Sequence, residues 1–548
     1  MIKRDHLRAL ISVGLALLAG LWVAAPALGT GAVLGAQNND LDGALWYRWY
    51  LLDSLQSGRL PDTTPMVAFP LGTDMLVRDG CNLLDALLSL PLVLAFGPFV
   101  AHNIWVILLV AANWLAFVHA SKAWLGDGEE RFWSRQLGAS LFALSPIALE
   151  ELGNGRVTQA FLVWLALLAG ECWRLDRSRW AWVRGGIWLA LTGLTYWYAA
   201  IWGGALAALL GLSRSWRKTT AMLLLSLVLV SPLLLAYAGR LGGEAPTLVP
   251  QKHMFVLWWD GGTALMGPGD DVGRDPVGMG RLLGFEFIPG VVALVYLMWR
   301  ERGPWLAVGG ACAIWGVFAL GPQPFGLFQS PLYALAMTLG PLAHRLWFPL
   351  RALVVVALTL AMALSAVAPR LERRWWGWPA LALLLWPLAL RLQGSMPLER
   401  WDPPRSPVIQ WLAAQPNGAV IALPSTADSS WRAAQIQYGK AVQLSIGGEN
   451  PALAVAGWSD WEESRPAMLA LNDILLGQTP LQPPSPQDWA QLRADGFAYL
   501  LLDREKMSTT RGEAGTKTAI SRIKRALGKP AEADAHYLAW VLPAADPR

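Results

Sequence analysis

The 548-residue sequence contains few charged residues and few cysteines. Charged residues make up 15% of the chain and hydrophobic residues 54%, a balance that excludes a disordered protein and is typical of an integral membrane protein. Cys81, Cys172 and Cys312 lie far apart, which excludes a disulfide scaffold and a zinc finger. The net charge of +5 belongs to the hydrophobic part, where it reports membrane orientation and does not imply nucleic acid.

Long apolar segments recur along residues 1–391. A membrane-spanning helix needs about 20 apolar residues. Residues 7–28 form such a run, and Lys3, Arg4 and Arg8 at its start predict a helix with a cytoplasmic N-terminus. A cleaved signal peptide is the alternative, since residues 25–27 resemble a cleavage site. The further apolar runs are 83–97, 101–121, 135–149, 158–173, 185–212, 219–238, 286–299, 304–321, 349–368 and 375–391.

The loops between these runs indicate the topology. Short basic loops are predicted to be cytoplasmic, whereas the longer non-basic loops, 30–82 and 239–285, are predicted to be extracytoplasmic. These assignments agree if 83–97 is an interfacial or re-entrant segment before a span at 99–121. They also require 185–212 to be a hairpin that turns near residues 196–198, in the aromatic belt. About eleven spans result, and the last delivers the C-terminus outside.

Residues 392–548 form a different kind of segment. Short apolar runs predict strands at 419–423, 497–502 and 537–542, and helices are predicted at 406–414, 464–476, 486–495 and 517–527. Ser485-Pro486 is a helix-start signal. The expected architecture is a polytopic α-helical membrane domain over 1–391, followed by a soluble extracytoplasmic α/β domain over 392–548.

The first extracytoplasmic loop contains a D-x-D motif at Asp40 and Asp42. Two carboxylates can accept a hydroxyl proton or hold a divalent cation such as Mg²⁺ or Mn²⁺. The structural alternative is an Asp cap for the following aromatic helix. Trp46 and Trp49 of that helix are expected on the membrane surface, with stacking on a sugar as the alternative.

An arginine pair lies at the predicted outer end of the span 349–368. Arg345 and Arg351 are costly to desolvate there unless they snorkel to headgroups or meet an anion. Guanidinium geometry suits phosphate. The sequence therefore predicts acidic residues (Asp40 and Asp42) and basic residues (Arg345 and Arg351) on the same membrane face. A reaction on a lipid-phosphate substrate requires both.

The chain resembles the GT-C superfamily of polytopic glycosyltransferases in this layout. The motif-like positions that carry the resemblance are the D-x-D loop, the tracts 69–72 and 144–146, and the segment from Arg345 to Arg351. Within it the chain is distantly similar to YfhO-type and family-39-type membrane proteins. The resemblance implies an enzyme of the plasma (inner) membrane that uses a polyprenyl-phosphate-linked sugar donor and inverts the configuration at the sugar. The acceptor would be a glycan, lipid or protein.

The resemblance also implies roles for individual residues. Asp40 would be the general base, Asp42 would support it or help hold a metal ion, and Arg345 and Arg351 would stabilise the leaving phosphate. Four residues of a short outer loop would line the same cavity, namely Glu150, Glu151, Asn154 and Arg156. A transporter or flippase of a lipid-linked glycan and a non-catalytic scaffold with a partner-binding outer domain are the alternative functions.

Overall fold

The computed structural model describes residues 4–37, 39–61, 63–75, 83–241, 288–319, 335, 338, 349–372, 396–403, 405–424, 431–442, 458–477 and 484–543. Two compact units are present: unit 1 comprises Met1–Ala36, Cys81–Ala236 and Pro250–Trp401, and unit 2 comprises Gln37–Gly80, Tyr237–Val249 and Asp402–Arg548. Residues 242–285 of the predicted second loop, Arg345 and the predicted last span at 375–391 lie outside the described residues.

The chain is mostly helical. Its described α-helices are α1 (Arg4–Ala24), α2 (Asn39–Gln56), α3 (Leu83–Leu125), α4 (Phe132–Ala143), α5 (Pro146–Gly153), α6 (Val157–Ala160), α7 (Val163–Trp173), α8 (Ala181–Thr195), α9 (Trp197–Leu212), α10 (Trp216–Leu241), α11 (Ile288–Arg300), α12 (Pro304–Ala319), α13 (Leu353–Glu372), α14 (Pro407–Ala414), α15 (Arg432–Tyr438), α16 (Trp458–Glu463), α17 (Pro466–Leu476), α18 (Pro486–Ala494) and α19 (Arg504–Leu527). The strands are β1 (Val33–Leu34), β2 (Thr63–Thr64), β3 (Thr73–Asp74), β4 (Arg400–Trp401), β5 (Ala419–Leu423), β6 (Phe497–Asp503), β7 (Glu532–Ala533) and β8 (Tyr537–Val541).

Unit 1 is built around two helices. α3 packs against α1, α4 and α7, while α13 packs against α4, α11 and α12. The first three turns of α13 are buried on all sides, because its apolar residues leave no polar stripe for solvent. Among the described residues, four segments are long and apolar enough to cross a membrane: Arg4–Ala27, Leu83–Leu125, Trp216–Gly239 and Leu353–Arg370. Several shorter apolar helices accompany them. The count of about eleven spans stays a prediction.

Two helix breaks occur where the sequence predicts a change of direction. α3 is interrupted at Gly97, which has a φ of 74°, a value that glycine adopts more readily than other residues. The interruption falls at the predicted boundary between segment 83–97 and the span that follows it. α8 ends at Thr195, Tyr196 is extended, and α9 begins at Trp197. The predicted interruption of 185–212 is therefore confirmed.

A two-stranded antiparallel sheet joins distant parts of unit 1. Val33 of β1 pairs with Trp401 of β4. The Asn103 side chain on α3 holds the same segment, since its Oδ1 accepts from Leu34 N at 2.9 Å and its Nδ2 donates to Ala32 O at 2.8 Å. The Asn103 side chain thereby provides hydrogen-bond partners for the buried backbone groups of Ala32 and Leu34, which lie outside any helix.

Unit 2 contains a four-stranded mixed sheet in the order β5-β6-β8-β7. β5 runs parallel to β6, and β8 runs antiparallel to both β6 and β7. The three predicted strands are confirmed, as is the start of α18 at Ser485, whose side chain and Asp488 form a capping box. The predicted helix 517–527 is longer than expected. It belongs to α19, which begins at Arg504 and is interrupted at Gly512.

The α2 segment belongs to the core of unit 2. Trp46 is 1% exposed and packs with Val67, Val408 and Val420; its ring also stacks on Tyr50 at 4.9 Å. The expectation that this tryptophan lies on the membrane surface or stacks on a sugar is therefore wrong, because its apolar area is used inside the unit. The tract 69–72 also has a packing role, since Phe69 contacts Phe497 edge-to-face at 5.1 Å.

Candidate functional site

A buried charge cluster in unit 1 brings together three of the predicted site residues. Arg351 Nε donates to Glu151 Oε1 at 2.8 Å, and Arg156 Nη1 lies 3.4 Å from Glu151 Oε2. The Glu151 side chain is 2% exposed, and the two arginine side chains are 8% and 6% exposed. Because desolvation of three charges is expensive, their convergence marks this region as a functional-site candidate.

Tyr196 is a fourth member of the cluster. Its hydroxyl accepts a hydrogen bond from Arg351 Nη1 at 2.9 Å, and the Arg351 guanidinium carbon lies 5.8 Å from the tyrosine ring centroid. The expected aromatic-belt position for residue 196 is therefore wrong, because the tyrosine is buried and bonds to a cation. A phenol that accepts from Arg351 keeps its own hydrogen as a donor.

Local backbone structure positions the cluster. Ser145 and Pro146 start α5, since proline at the first helical position loses no hydrogen bond. Glu150 and Glu151 lie in this helix and not in a loop, which corrects the predicted outer loop at 150–156. Asn154 is the C-terminal cap, Gly155 has a φ of 73°, and the resulting turn brings Arg156 N to within 2.7 Å of Glu151 O.

Arg351 comes from a different element. It lies in the 3-10 turn Pro349–Ala352 that leads into α13, and α13 contacts both this turn and α5. The predicted partner Arg345 lies outside the described residues. Glu150 and Asn154 make a separate contact, in which Asn154 Nδ2 donates to Glu150 Oε1 at 3.0 Å.

Asp85 is a further buried carboxylate, which hydrogen-bonds to the short helix that follows Arg156. It was not among the predicted site residues. Asp85, in the first turn of α3, is 1% exposed. Its Oδ2 accepts from Thr158 Oγ1 at 2.9 Å, and Thr158 follows Arg156 by two residues on α6. A lone acid at the edge of a hydrophobic run was the available signal.

The D-x-D motif lies in unit 2, at the beginning of α2. Asp40 is exposed and Asp42 is 1% exposed. α2 begins at Asn39, so both acids occupy its first turn, where they complement the helix dipole. Residue 42 is therefore inside the helix and not its cap.

Lys506 of α19 interacts with the D-x-D motif within unit 2. α2 packs against α15, and Trp431, the residue before α15, lies beneath the Lys506 ammonium group at 4.9 Å. Burial lowers the pKa of Lys506, and this is the largest effect. The negative charges of Asp503, Asp42 and Glu505 act to raise the same pKa. Lys506 was missed because its contact with α2 joins residues far apart in sequence.

The geometry of the D-x-D motif bears on metal binding. Residues two apart on an α-helix point about 200° apart, which agrees with one acid exposed and the other buried. Since Asp42 also lies near an ammonium group, the two side chains do not fit one shared cation. Among the described residues, no group of three or more His, Cys, Asp or Glu side chains is placed to hold a metal ion.

Comparisons with known proteins identify the fold. No family model matches the sequence, and no curated protein matches it. The chain is similar to the arabinofuranosyltransferase AftD from Mycobacteria, with a TM-score of 0.54 and 16% identity over 92% of this chain and 37% of that one. It is also similar to the Archaeoglobus fulgidus oligosaccharyltransferase, with a TM-score of 0.50 and 11% identity over 94% of this chain and 72% of that one.

The chain therefore shares the fold of these two solved proteins. The likeness extends over nearly the whole of this chain but over 37% of the length of the mycobacterial protein. At such low identity the likeness concerns the fold, and function has to be argued from the site.

Proposed function

We propose that the protein is a glycosyltransferase that transfers a sugar from a polyprenyl-phosphate-linked donor to a glycan, lipid or protein acceptor. The observation that carries this proposal is the buried Glu151–Arg351–Tyr196 cluster in a fold whose solved neighbours include an arabinofuranosyltransferase and an oligosaccharyltransferase. Burying two guanidinium groups around one glutamate provides a positive, preorganised site for a phosphate.

Arg351 is the proposed phosphate ligand. Glu151 fixes the orientation of its guanidinium group, so little reorganisation is needed when negative charge develops on the leaving phosphate. A guanidinium group has five N–H donors, and its bonds to Glu151 and Tyr196 are compatible with a further bond to phosphate. The Tyr196 hydroxyl hydrogen is a second proposed donor, and Arg156 adds positive charge.

Asp40 remains the proposed general base. Its carboxylate takes the proton of the acceptor hydroxyl as the acceptor oxygen attacks the anomeric carbon. The carbon–oxygen bond to phosphate breaks on the opposite side, the electron pair remains on the phosphate oxygen, and the configuration inverts. Asp42 points away from Asp40 into unit 2, so it is assigned no step in the transfer. No step is assigned to a metal ion, because the two acids do not fit a shared one.

The proposed orientation keeps the N-terminus in the cytoplasm and the reaction at the outer face of the plasma membrane, with residues 392–548 outside. A reporter active only in the cytoplasm, fused to the C-terminus, is expected to be inactive. An active reporter would contradict this orientation.

The first test measures binding of undecaprenyl phosphate to the purified full chain by native mass spectrometry. Arg351→Gln is expected to weaken binding about 10- to 100-fold, since a hydrogen bond to a charged group contributes about 1.5–3 kcal/mol. Arg370→Gln is the matched control, because Arg370 lies at the other end of α13 and pairs with Glu301 at the surface. Equal losses in both variants would contradict the phosphate site.

The second test separates transfer from transport. Membranes with the wild-type chain are expected to release polyprenyl phosphate from a panel of polyprenyl-phosphate sugars as the sugar appears on an acceptor. Asp40→Asn is expected to abolish this transfer and leave the amount of folded protein unchanged, whereas Asp53→Asn on the same helix leaves transfer intact. Full transfer by Asp40→Asn would remove Asp40 as the base. Donor movement across the membrane without transfer would favour a flippase.

A further inference from the structure

Two basic loops of unit 1 are held together by side chains. The first loop, residues 174–180, joins α7 to α8, and the second, residues 213–215, joins α9 to α10. Arg214 Nη1 of the second loop lies 3.2 Å from Asp176 Oδ2 of the first, and its guanidinium group stacks on Trp173 at 4.7 Å. The loops therefore form one surface.

Several of the charges at this surface have structural partners. Lys218 Nζ donates to Leu175 O at 2.7 Å and to Ser178 O at 3.0 Å, which satisfies carbonyl groups of the first loop. Glu171 pairs with Arg174 at 3.1 Å and with Arg184 at 2.8 Å. These contacts hold the two loops in place. Other basic residues of the same surface face outward.

The outward-facing residues are arginines and tryptophans in adjacent pairs. Arg179 stacks on Trp180, and Arg217 stacks on Trp216, each with the guanidinium carbon 5.4 Å from the ring centroid. Trp180 is 55% exposed and Trp216 is 62% exposed, and Arg177 is also exposed. We call these five residues the Arg–Trp patch.

The Arg–Trp patch lies at the margin of a hydrophobic segment. Trp216 is the first residue of the candidate span Trp216–Gly239, which is 11% buried within the protein. Most of that segment is thus available to lipid, and its first residues belong at the depth of the headgroups. Exposed tryptophans prefer this depth because the ring is apolar and the indole N–H is polar.

We infer that the Arg–Trp patch binds the headgroup of an anionic phospholipid in the leaflet on the side of these loops. The guanidinium groups would bind the phosphodiester oxygens, whose negative charge is not offset in an anionic lipid as it is by the quaternary ammonium group of phosphatidylcholine. The tryptophan rings would lie among the glycerol and upper acyl carbons. A free phosphate would use the arginines but not the rings. The combination of three cations with two exposed rings therefore favours a lipid.

The inference can be tested on the purified full chain by native mass spectrometry with short-chain phosphatidylglycerol and phosphatidylcholine. The wild-type chain is expected to bind phosphatidylglycerol more tightly. One cation near an anionic headgroup contributes about a fivefold preference, so Arg179→Gln/Arg217→Gln is expected to lose about 25-fold in phosphatidylglycerol affinity and to keep its phosphatidylcholine affinity. Trp180→Ala/Trp216→Ala is expected to weaken binding of both lipids.

The control is Arg405→Gln, which removes an exposed arginine of unit 2 and is expected to change neither affinity. Equal binding of the two lipids by the wild-type chain would overturn the inference, as would full phosphatidylglycerol binding by the double arginine variant. Displacement of phosphatidylglycerol by millimolar inorganic phosphate, with no effect of the tryptophan variant, would identify a phosphate site and overturn the lipid assignment. These readouts are independent of sugar transfer.

Discussion

The Glu151–Arg351 pair should contribute to stability as a coupled unit. Both side chains are nearly inaccessible, and Arg351 Nε donates to Glu151 Oε1 at 2.8 Å. Removing one partner of a buried pair leaves the other charge desolvated, which costs about 3–5 kcal/mol. Glu151→Gln is expected to reach this range, because it also removes the negative charge that faces Arg156 Nη1 at 3.4 Å. Arg351→Gln is expected to cost about 3 kcal/mol, since Glu151 keeps Arg156 at 3.4 Å.

A double-mutant cycle measures the coupling. Equilibrium unfolding of the purified chain in detergent, followed by tryptophan fluorescence, gives the free energy of unfolding for each variant. The double variant is expected to be more stable than the sum of the single losses predicts, by about 1–3 kcal/mol. Additive losses, within about 0.5 kcal/mol, would refute the assignment of the pair as one unit.

A second glutamate provides the matched control. Glu171 also bridges two arginines, but the side chains of Arg174 and Arg184 are 23% and 43% exposed. Solvent screens these pairs, so Glu171→Gln is expected to cost about 1 kcal/mol. A loss as large as that of Glu151→Gln would mean that burial does not determine the difference.

Three further predictions concern unit 2. Asp42→Asn should destabilise the protein by about 1–3 kcal/mol, because it removes a buried carboxylate near Lys506. Asp40→Asn at the surface should change the free energy of unfolding by less than about 0.5 kcal/mol. Chemical denaturation compares the two variants, and equal effects would contradict the burial of Asp42. Burial lowers the pKa of Lys506, so between that lowered pKa and the ordinary value of 10.5 the unfolded chain binds more protons, and stability rises with pH in this window. Lys506→Met should reduce that rise and exposed Lys517→Met should not; an unchanged slope would count against the lowered pKa. Ser485→Ala removes the capping bond to Asp488 N at 3.3 Å and should cost about 1 kcal/mol, with no loss expected from Ser57→Ala at an exposed turn of unit 2.

Elements defined by local signals could be predicted from the sequence. β5, β6 and β8 are short apolar runs, α18 begins at a serine followed by proline, and the break before α9 falls in the middle of an apolar run too long for one helix. Each of these follows from hydrophobic length or capping chemistry within a few residues. The family resemblance implied one cavity for a larger set of residues, of which the structure joins Glu151, Arg156 and Arg351 by ion pairs.

Features that depend on long-range packing could not be predicted. Trp46 has the amphipathic ring of an interfacial anchor, but two of its core partners, Val408 and Val420, lie more than 350 positions later in the chain. Tyr196 has the same ambiguity, and only the approach of Arg351 distinguishes a buried hydrogen-bond acceptor from an aromatic belt residue. Amphipathic aromatic residues suit both environments, so tertiary contacts decide between them.

The pairing of β1 with β4 constrains how the protein can be assembled. Asn103 holds Ala32 and Leu34 from within the first 125 residues, so this part can form early in synthesis. Leu34 can pair with Arg400 only after all the intervening helices have been made. This pairing is thus a contact of very high contact order, and a chain that stops before residue 400 leaves β1 without its partner strand during membrane insertion.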